Sequence, residues 1–335
     1  MDGVKYLRPL QNKNTDMAFN TELLITLQQL KGFGYKTILN LATSMDINSM
    51  EELYRYWGNL KGSKFSKVTK DDLASANRAA HRIIEACDME GIGIISYFED
   101  TFPSILKTCV NEEGKMDPPI VLYYRGDLHA LDRPGVAVIG TREPTKNGEN
   151  AGLFFAGEFA QKGYNIVSGL AIGCDTTGHK GALAVGGITT AFLANSLKWD
   201  DIYPKENLEL AKEIVANGGL LLSEYHIGQT CGRYAFIARD RLQAGLSHAT
   251  IVIQTGISGG TMHAVNATLM AGKPLFAVKY NLPDDYCHDK VQGNVRMIND
   301  RRAYPLSRKT IEDCLEIVEK SVQKSNNQNH QVTLF

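Results

Sequence analysis

The residues of this sequence best placed to do chemistry are glycines, hydroxyls and arginines rather than acids or nucleophiles. Gly140-Thr141-Arg142 joins a small residue that permits close approach, a hydroxyl, and a guanidinium able to fork onto a phosphate. Ser168-Gly169-Leu170-Ala171-Ile172-Gly173-Cys174-Asp175 is a second polar, glycine-bearing run, followed by His179 and Lys180. The third, Gly256-Ile257-Ser258-Gly259-Gly260-Thr261, opens a helical pattern through Leu269 and exposes amides at a positive helix end, a phosphate cradle. Any one such loop is common in α/β proteins, but three of them point to an anionic ligand. No Gly-x-Gly-x-x-Gly follows the first strand and no Walker loop is present, so the pattern is not that of a dinucleotide site.

Other candidates are ambiguous on residue type alone. Asp175 precedes Thr176-Thr177-Gly178-His179 and suits a helix N-cap as well as a ligand contact. His179 has the chemistry of a general acid, although a lone histidine is more often packed or hydrogen-bonded. Arg239 and Arg241 are two residues apart, a spacing that points them away from each other on a helix. No Ser, His and acid set and no carboxylate pair stands out, and the six cysteines lack metal-ligand spacing, which reads as reduced thiols in a cytoplasmic protein.

The elements that must position these residues follow from periodicity. Val136–Ile139, Asn165–Ser168, Thr189–Ala194, Leu220–Ser223, Thr250–Ile253 and Leu275–Val278 read as buried parallel strands. They alternate with helical patterns such as Ala151, Phe154, Phe155 and Phe159, which argues for a doubly wound α/β domain. In such a sheet ligands bind beyond the carboxyl ends of the strands, where the three loops fall. Leu23, Leu24, Leu27 and Leu30 form a first helix behind the possible caps Asn20 and Thr21. A Gly32-Phe33-Gly34 break then leads to a second helix, and the pair resembles a helix-hairpin-helix unit or a plain packing hairpin. Lys61, Lys64, Lys67 and Lys70 follow as a linker or a basic track ending in Asp71-Asp72, a candidate cap for the next helix. Beyond a helix at Thr310–Val322, the polar run from Gln323 to His330 predicts disorder.

Composition limits the partners. The 335 residues carry 36 Lys plus Arg against 37 Asp plus Glu, a net charge of −1, so any basic site must be local. The 31 glycines, somewhat above the usual share, favour a binding site built from loops. The sequence predicts no signal peptide and no membrane span.

Taken in order, Val136-Ala-Val-Ile-Gly-Thr-Arg142, Val167-Ser-Gly-Leu-Ala-x-Gly-x-Asp175 with His179-Lys-Gly-Ala-Leu183, Ile202-Tyr-Pro-Lys-Glu-Asn207, Ser223-Glu-Tyr225 and Phe236-x-x-Arg-x-Arg241 with Gly245-Leu-Ser247 resemble the bacterial DNA-processing family DprA/Smf. Phe102-Pro103-x-x-Leu106, Asp117-Pro-Pro119, Leu122-Tyr-Tyr-Arg-Gly126 and Gly293-Asn294 extend the resemblance over roughly residues 90 to 305. It implies a Rossmann-like, doubly wound, mainly parallel sheet with a small helical N-terminal domain. It also implies a cytoplasmic homodimer that binds single-stranded DNA in a basic pocket and helps load the RecA recombinase, without turnover, metal or cofactor. The DNA-facing residues carried over are Gly140, Thr141, Arg142, Ser168, Gly169, Lys180, Arg239, Arg241, Ser258, Gly259, Gly260 and Thr261. The expected division is a helical unit at 1–70, the α/β domain with its lead-in at 71–307, and a helix with a tail at 308–335.

Departures from the family pattern keep other readings open. Ala238 and Asp240 stand where an arginine and an asparagine are usual, which removes one positive charge and adds a negative one. Lys279-Tyr280 replaces a Pro-Gly and returns a charge, Gly260 stands in a usual Ser-Gly-Ser, and there is no room for a C-terminal winged helix. The alternatives are a nucleotide sensor without catalysis, a protein adaptor, or an enzyme resembling the cytokinin-activating phosphoribohydrolases. Against the enzyme, Ala264 stands where that group's signature has its catalytic glutamate. Finally, Gln331-x-x-Leu334-Phe335 resembles the sliding-clamp-binding peptide, with Leu334 and Phe335 for an apolar pocket and Gln331 for its rim.

Overall fold

In the computed structural model, which describes residues 20–332 apart from 45, 46, 48, 61 and 63, Asn20 caps the first helix by accepting from the Leu23 amide at 2.9 Å. That helix, α1 (Thr21–Gln28), turns at Gly32, whose φ of 84° suits glycine, into α2 (Tyr35–Ser44). Next come α3 (Met50–Trp57) and α4 (Lys70–Met89). Thr69 rather than Asp71 or Asp72 caps α4, and Asp72 answers from the third helical position by accepting from the Thr69 amide at 2.9 Å. Leu23, Leu24, Leu27, Leu53 and Leu73 are buried in one apolar cluster that continues into Val121, Ala191 and Leu221 of the sheet.

The sheet has nine strands: β1 (Gly93–Ser96), β2 (Val121–Gly126), β3 (Gly135–Ile139), β4 (Asn165–Ser168), β5 (Thr189–Leu193), β6 (Leu220–Ser223), β7 (Ser247–Val252), β8 (Leu275–Val278) and β9 (Tyr304–Leu306). Their order is β1-β2-β6-β5-β4-β3-β7-β8-β9, antiparallel at β1–β2 and β2–β6 and parallel elsewhere. Helices fill the crossovers: α5 (Lys146–Gln161), α6 (Cys174–Ala184), α7 (Leu208–Ala216), α8 (Tyr234–Leu246), α9 (Thr261–Met270), the short α10 (Pro283–Tyr286), α11 (Gln292–Asn299) and α12 (Ile311–Val332). The expected doubly wound architecture is therefore present, with β4, β6 and β8 on their expected residues. β7 begins three residues before the expected Thr250, because Ser247 already pairs with Gly135 ahead of an irregularity in the ladder.

The polar run from Gln323 to His330 is a correction. It was expected to be disordered, yet α12 continues through it to Val332. Ile311, Cys314, Leu315 and Val318 bury the first turns of α12, and an anchored helix extends without a new nucleation cost. The side chain of Gln331, and Leu334 and Phe335 altogether, lie outside the described residues. Among the described residues no helix is long and apolar enough to cross a membrane.

His179 resolves towards packing. It is 0% exposed on α6, its Nδ1 lies 2.6 Å from Thr189 Oγ1, and burial, aided by the Arg239 charge, pushes its pKa down to about 3. The unfolded chain therefore takes up a proton first as pH falls below 6.5, and stability drains between about 6.5 and 3. Urea unfolding at pH 6.5 and 5 is expected to show a loss of about 2 kcal/mol from this residue, with a smaller loss in His179→Gln.

Candidate functional site

The chain lays β4, β5 and β6 on one side of β3 and then crosses to lay β7, β8 and β9 on the other. A crevice opens past the carboxyl ends of β3 and β7 at this switch point. It holds a cavity of about 590 Å³, within the range of small-ligand sites. Gly140, Thr141, Arg142, Arg239, Ser258, Gly259, Gly260 and Thr261 all line it.

After β3, Gly140 is required by packing: a Cβ there would lie 2.5 Å from Cys174 Sγ and 2.8 Å from the Gln254 carbonyl oxygen. The Thr141 amide donates to the Gln254 carbonyl at 2.7 Å and its carbonyl accepts from the Cys174 amide at 3.1 Å, tying the loop to α6. Arg142 is exposed, with its guanidinium 5.7 Å from the Phe236 ring centroid. After β7, Asn294 Oδ1 accepts from the Thr255 amide at 2.9 Å, and a Cβ on Gly293 would lie 2.3 Å from the Gly256 carbonyl oxygen. That explains the Gly293-Asn294 pair as a support for the third loop. Gly259 has a φ of 130°, and α9 starts without a side-chain cap. Nothing lies within 4 Å of a Cβ built on Gly260, so its smallness serves nothing in the chain itself.

Arg239 is only 5% exposed. Its Nη1 lies 3.6 Å from Asp175 Oδ2 and its Nε 3.4 Å from Asp240 Oδ1. Asp175 is not the N-cap of α6. Gly173, with φ 84°, holds that position, while Asp175 sits in the first turn and accepts from the Ala171 amide at 3.2 Å. Burial raises the Asp175 pKa against the lowering pull of Arg239. Burial likewise pushes Asp240 up to about 6; Asp175 adds to the shift, and the charges of Arg239, His263 and Arg142 oppose it. Ser168 lies beneath, its hydroxyl donating to the Val138 carbonyl at 2.6 Å. Asn207 completes the frame, with Nδ2 donating at 2.9 Å to both the Leu170 carbonyl and Thr176 Oγ1.

The remaining expected contacts fall elsewhere. Arg241 leaves α8 on another face, held in a bidentate pair to Glu224 at 2.8 Å and lying 2.6 Å from Asp117 Oδ2. Lys180 is exposed on α6 and Lys279 is exposed after β8; neither lines the cavity. The Gly32–Gly34 hairpin meets its own chain, with the Tyr35 hydroxyl donating to the Met116 carbonyl. Gly34 and Tyr35 border a second cavity of about 560 Å³ together with Asp117, Glu224 and Arg241. Packing is thus the role the hairpin visibly performs. Of the lysine series, Lys64 Nζ donates to the Gly32 carbonyl at 3.1 Å, and Lys61 lies outside the described residues.

The expected basic pocket needs correcting. Arg142, Arg239 and Lys290 line the cavity against Glu143, Asp175, Asp240 and Asp289, so cations do not outnumber carboxylates. What the cavity offers an anion is Arg142, the Lys290 ammonium paired with Glu143 at 2.8 Å, and the loop amides before α9. Lys290 and Gln243 were not singled out from the sequence. Neither carries a local signal, since Lys290 comes 12 residues after the end of β8, beyond α10, and Gln243 lies in mid-helix. Ala264 lines the cavity and brings no carboxylate.

Gly169 carries the most direct test of this frame. A Cβ there would fall 1.0 Å from Arg239 Nη1, so Gly169→Ala must expel the guanidinium and leave Asp175 buried without its counter-charge. Chemical denaturation is expected to show a loss of about 3 kcal/mol.

Comparison with known proteins agrees with this fold. The family model for DNA recombination-mediator protein A matches residues 93–319. Protein Smf of Escherichia coli (strain K12) is 35% identical over 162 residues, 48% of this chain; the chain spans only 43% of that relative's length. The X-ray structure of DNA processing protein A from Streptococcus pneumoniae superposes with a TM-score of 0.68 at 23% identity, covering 87% of this chain and 96% of the other. DNA processing protein A from Helicobacter pylori, solved for its unique single-stranded DNA binding mode, gives a TM-score of 0.56 at 31% identity over 67% and 96% of the two chains. With a match running from the first residue of β1 into α12, more than half of its length, the chain belongs to the DNA recombination-mediator protein A family.

Proposed function

We propose that this protein binds single-stranded DNA in the β3/β7 crevice and, as a cytoplasmic homodimer, assists loading of the RecA recombinase in transformation or recombination, without catalytic turnover. The observation that carries the reading is the start of α9 at Gly259-Gly260-Thr261, without a side-chain cap and facing Arg142 across one cavity, a cradle for a phosphodiester built from amides and one exposed cation. Family membership and the Helicobacter pylori relative's binding mode support it.

An aromatic platform adjoins the cradle. Phe236 stands 6.0 Å from Tyr203, ring to ring, and both border a smaller space of about 90 Å³ with Gly169 and Ile172. Bases stack on such rings without sequence preference. With few uncompensated cations, affinity rests more on amides and stacking than on counterion release, so the salt dependence is shallow. The tail residues Gln331, Leu334 and Phe335 are proposed to dock on the sliding clamp. A second reading, a sensor of a free nucleotide, is favoured by the small-ligand volume of the cavity and its lack of excess positive charge; calorimetry against single nucleotides separates the two.

Fluorescence anisotropy with a long oligothymidine at about 50 mM salt is expected to show binding, with a log–log salt slope of about −2. Arg142→Ala is expected to lower the slope's magnitude by about 0.7, and Phe236→Ala to cost about 1–3 kcal/mol without changing it. Absence of binding, or unchanged affinity in both variants, counts against the proposal. Asp240 supplies a pH test: its carboxylate repels phosphate when ionised, so affinity rises as pH falls through about 6. Asp240→Asn is expected to bind more tightly at pH 7.5 and to lose most of that rise.

A further inference from the structure

The floor of the crevice holds polar atoms that the phosphate cradle does not use. Gln243, 2% exposed and lining the cavity, lies one turn beyond Asp240 on α8. Its Nε2 donates to Asp240 Oδ1 at 3.0 Å, while its Oε1 is buried without a partner. The contacts of Asp240 with Gln243 and Arg239 both fall on Oδ1, which leaves Oδ2 unpaired among the described residues. Arg239 Nε, in an ion pair 3.4 Å from that Oδ1, makes no hydrogen bond there and is buried without a hydrogen-bond partner. Buried polar groups are ordinarily satisfied, so Gln243 Oε1 and Arg239 Nε, buried without hydrogen-bond partners beside the second oxygen of Asp240, make a floor arranged for something absent from the chain.

We propose that this floor reads a guanine base: Asp240 and Gln243 accept from its N1–H and N2 amino group, and Arg239 donates to its O6. The inference rests on the single-stranded DNA reading of the same cavity. Guanine is the standard base whose pairing edge runs acceptor, donor, donor, the complement of one donor and two acceptors. Thymine offers one donor between two acceptors, and adenine and cytosine each set one amino group beside an acceptor. Thymine sets one of its acceptors against an acceptor of the floor, adenine and cytosine leave one floor acceptor without a donor, and an ionised carboxylate has no proton with which to adapt. The selection therefore works by rejection as much as by attraction. Splayed bases of a single strand present this edge freely, which a paired duplex does not.

The test compares oligothymidine tracts that differ at one central base, measured by anisotropy on the full chain. A tract with guanine is expected to bind about tenfold more tightly than one with hypoxanthine, which lacks only the N2 amino group, and than one with adenine. Asp240→Asn is expected to erase the guanine preference while binding the all-thymidine tract more tightly, a combination that mere loss of structure does not produce. Equal binding of guanine, hypoxanthine and adenine tracts by the natural protein overturns the inference and leaves the single-stranded DNA reading standing. Persistence of the preference in Asp240→Asn overturns the assignment to Asp240. Failure of every tract to bind overturns both.

Discussion

Arg239 is a cation almost removed from water, and an ion in that position is tolerated only where the surroundings supply its counter-charges. Asp175 and Asp240 do so from two different elements, α6 and α8, and the Phe192 carbonyl approaches at 3.5 Å from β5. The guanidinium therefore ties together the loop after β4, the end of β5 and the helix that carries Phe236 and Gln243. Glycine at 169 follows from this, since any side chain there would occupy the space of the guanidinium. So does the course of the loop, where the Asp175 carboxylate holds the Ala171 amide and Leu170 adopts a left-handed φ of 62° with its carbonyl taken by Asn207.

α8 is fixed from a second face by Arg241. Arg241 is buried while its partners Glu224 and Asp117 are half-buried, and against the lowering effect of burial these carboxylates hold its pKa above its usual value. Asp117 belongs to the lead-in segment that Tyr35 touches through Met116, so this second ion cluster connects α8 to the N-terminal helices. Two arginines separated by one residue thus do different work: one orders the floor of the crevice, the other joins two layers of the molecule.

Much of this was legible from sequence because parallel strands buried on both faces are continuous apolar runs, and Val136–Ile139 or Leu275–Val278 can hardly be read otherwise. The loops were legible because a doubly wound sheet puts its ligands at strand ends. β1, β2 and β9 escaped: β1 is short and half-buried, β2 loses burial towards Gly126, and β9 is a three-residue edge containing Pro305. Which arginine faces the crevice also escaped, because the phase of α8 is set by Asp175 and Glu224, distant in sequence. Gln243 looked like any polar helix residue, and only its missing partner distinguishes it.

The pairing of β2 with β6 has a consequence for how the chain is made. Tyr123 and Ser223 stand opposite each other across about a hundred residues, and ribosomes add roughly 5–20 residues per second. The apolar cluster of the N-terminal helices includes Leu221 on β6 and Leu193 on β5. Helices α1 to α4 therefore emerge many seconds before their sheet wall exists, with Leu23 and Leu27 waiting for cover. These helices, synthesised before their sheet wall, are among the last parts to be completed, and that interval is when a nascent chain of this fold has most need of protection from its neighbours.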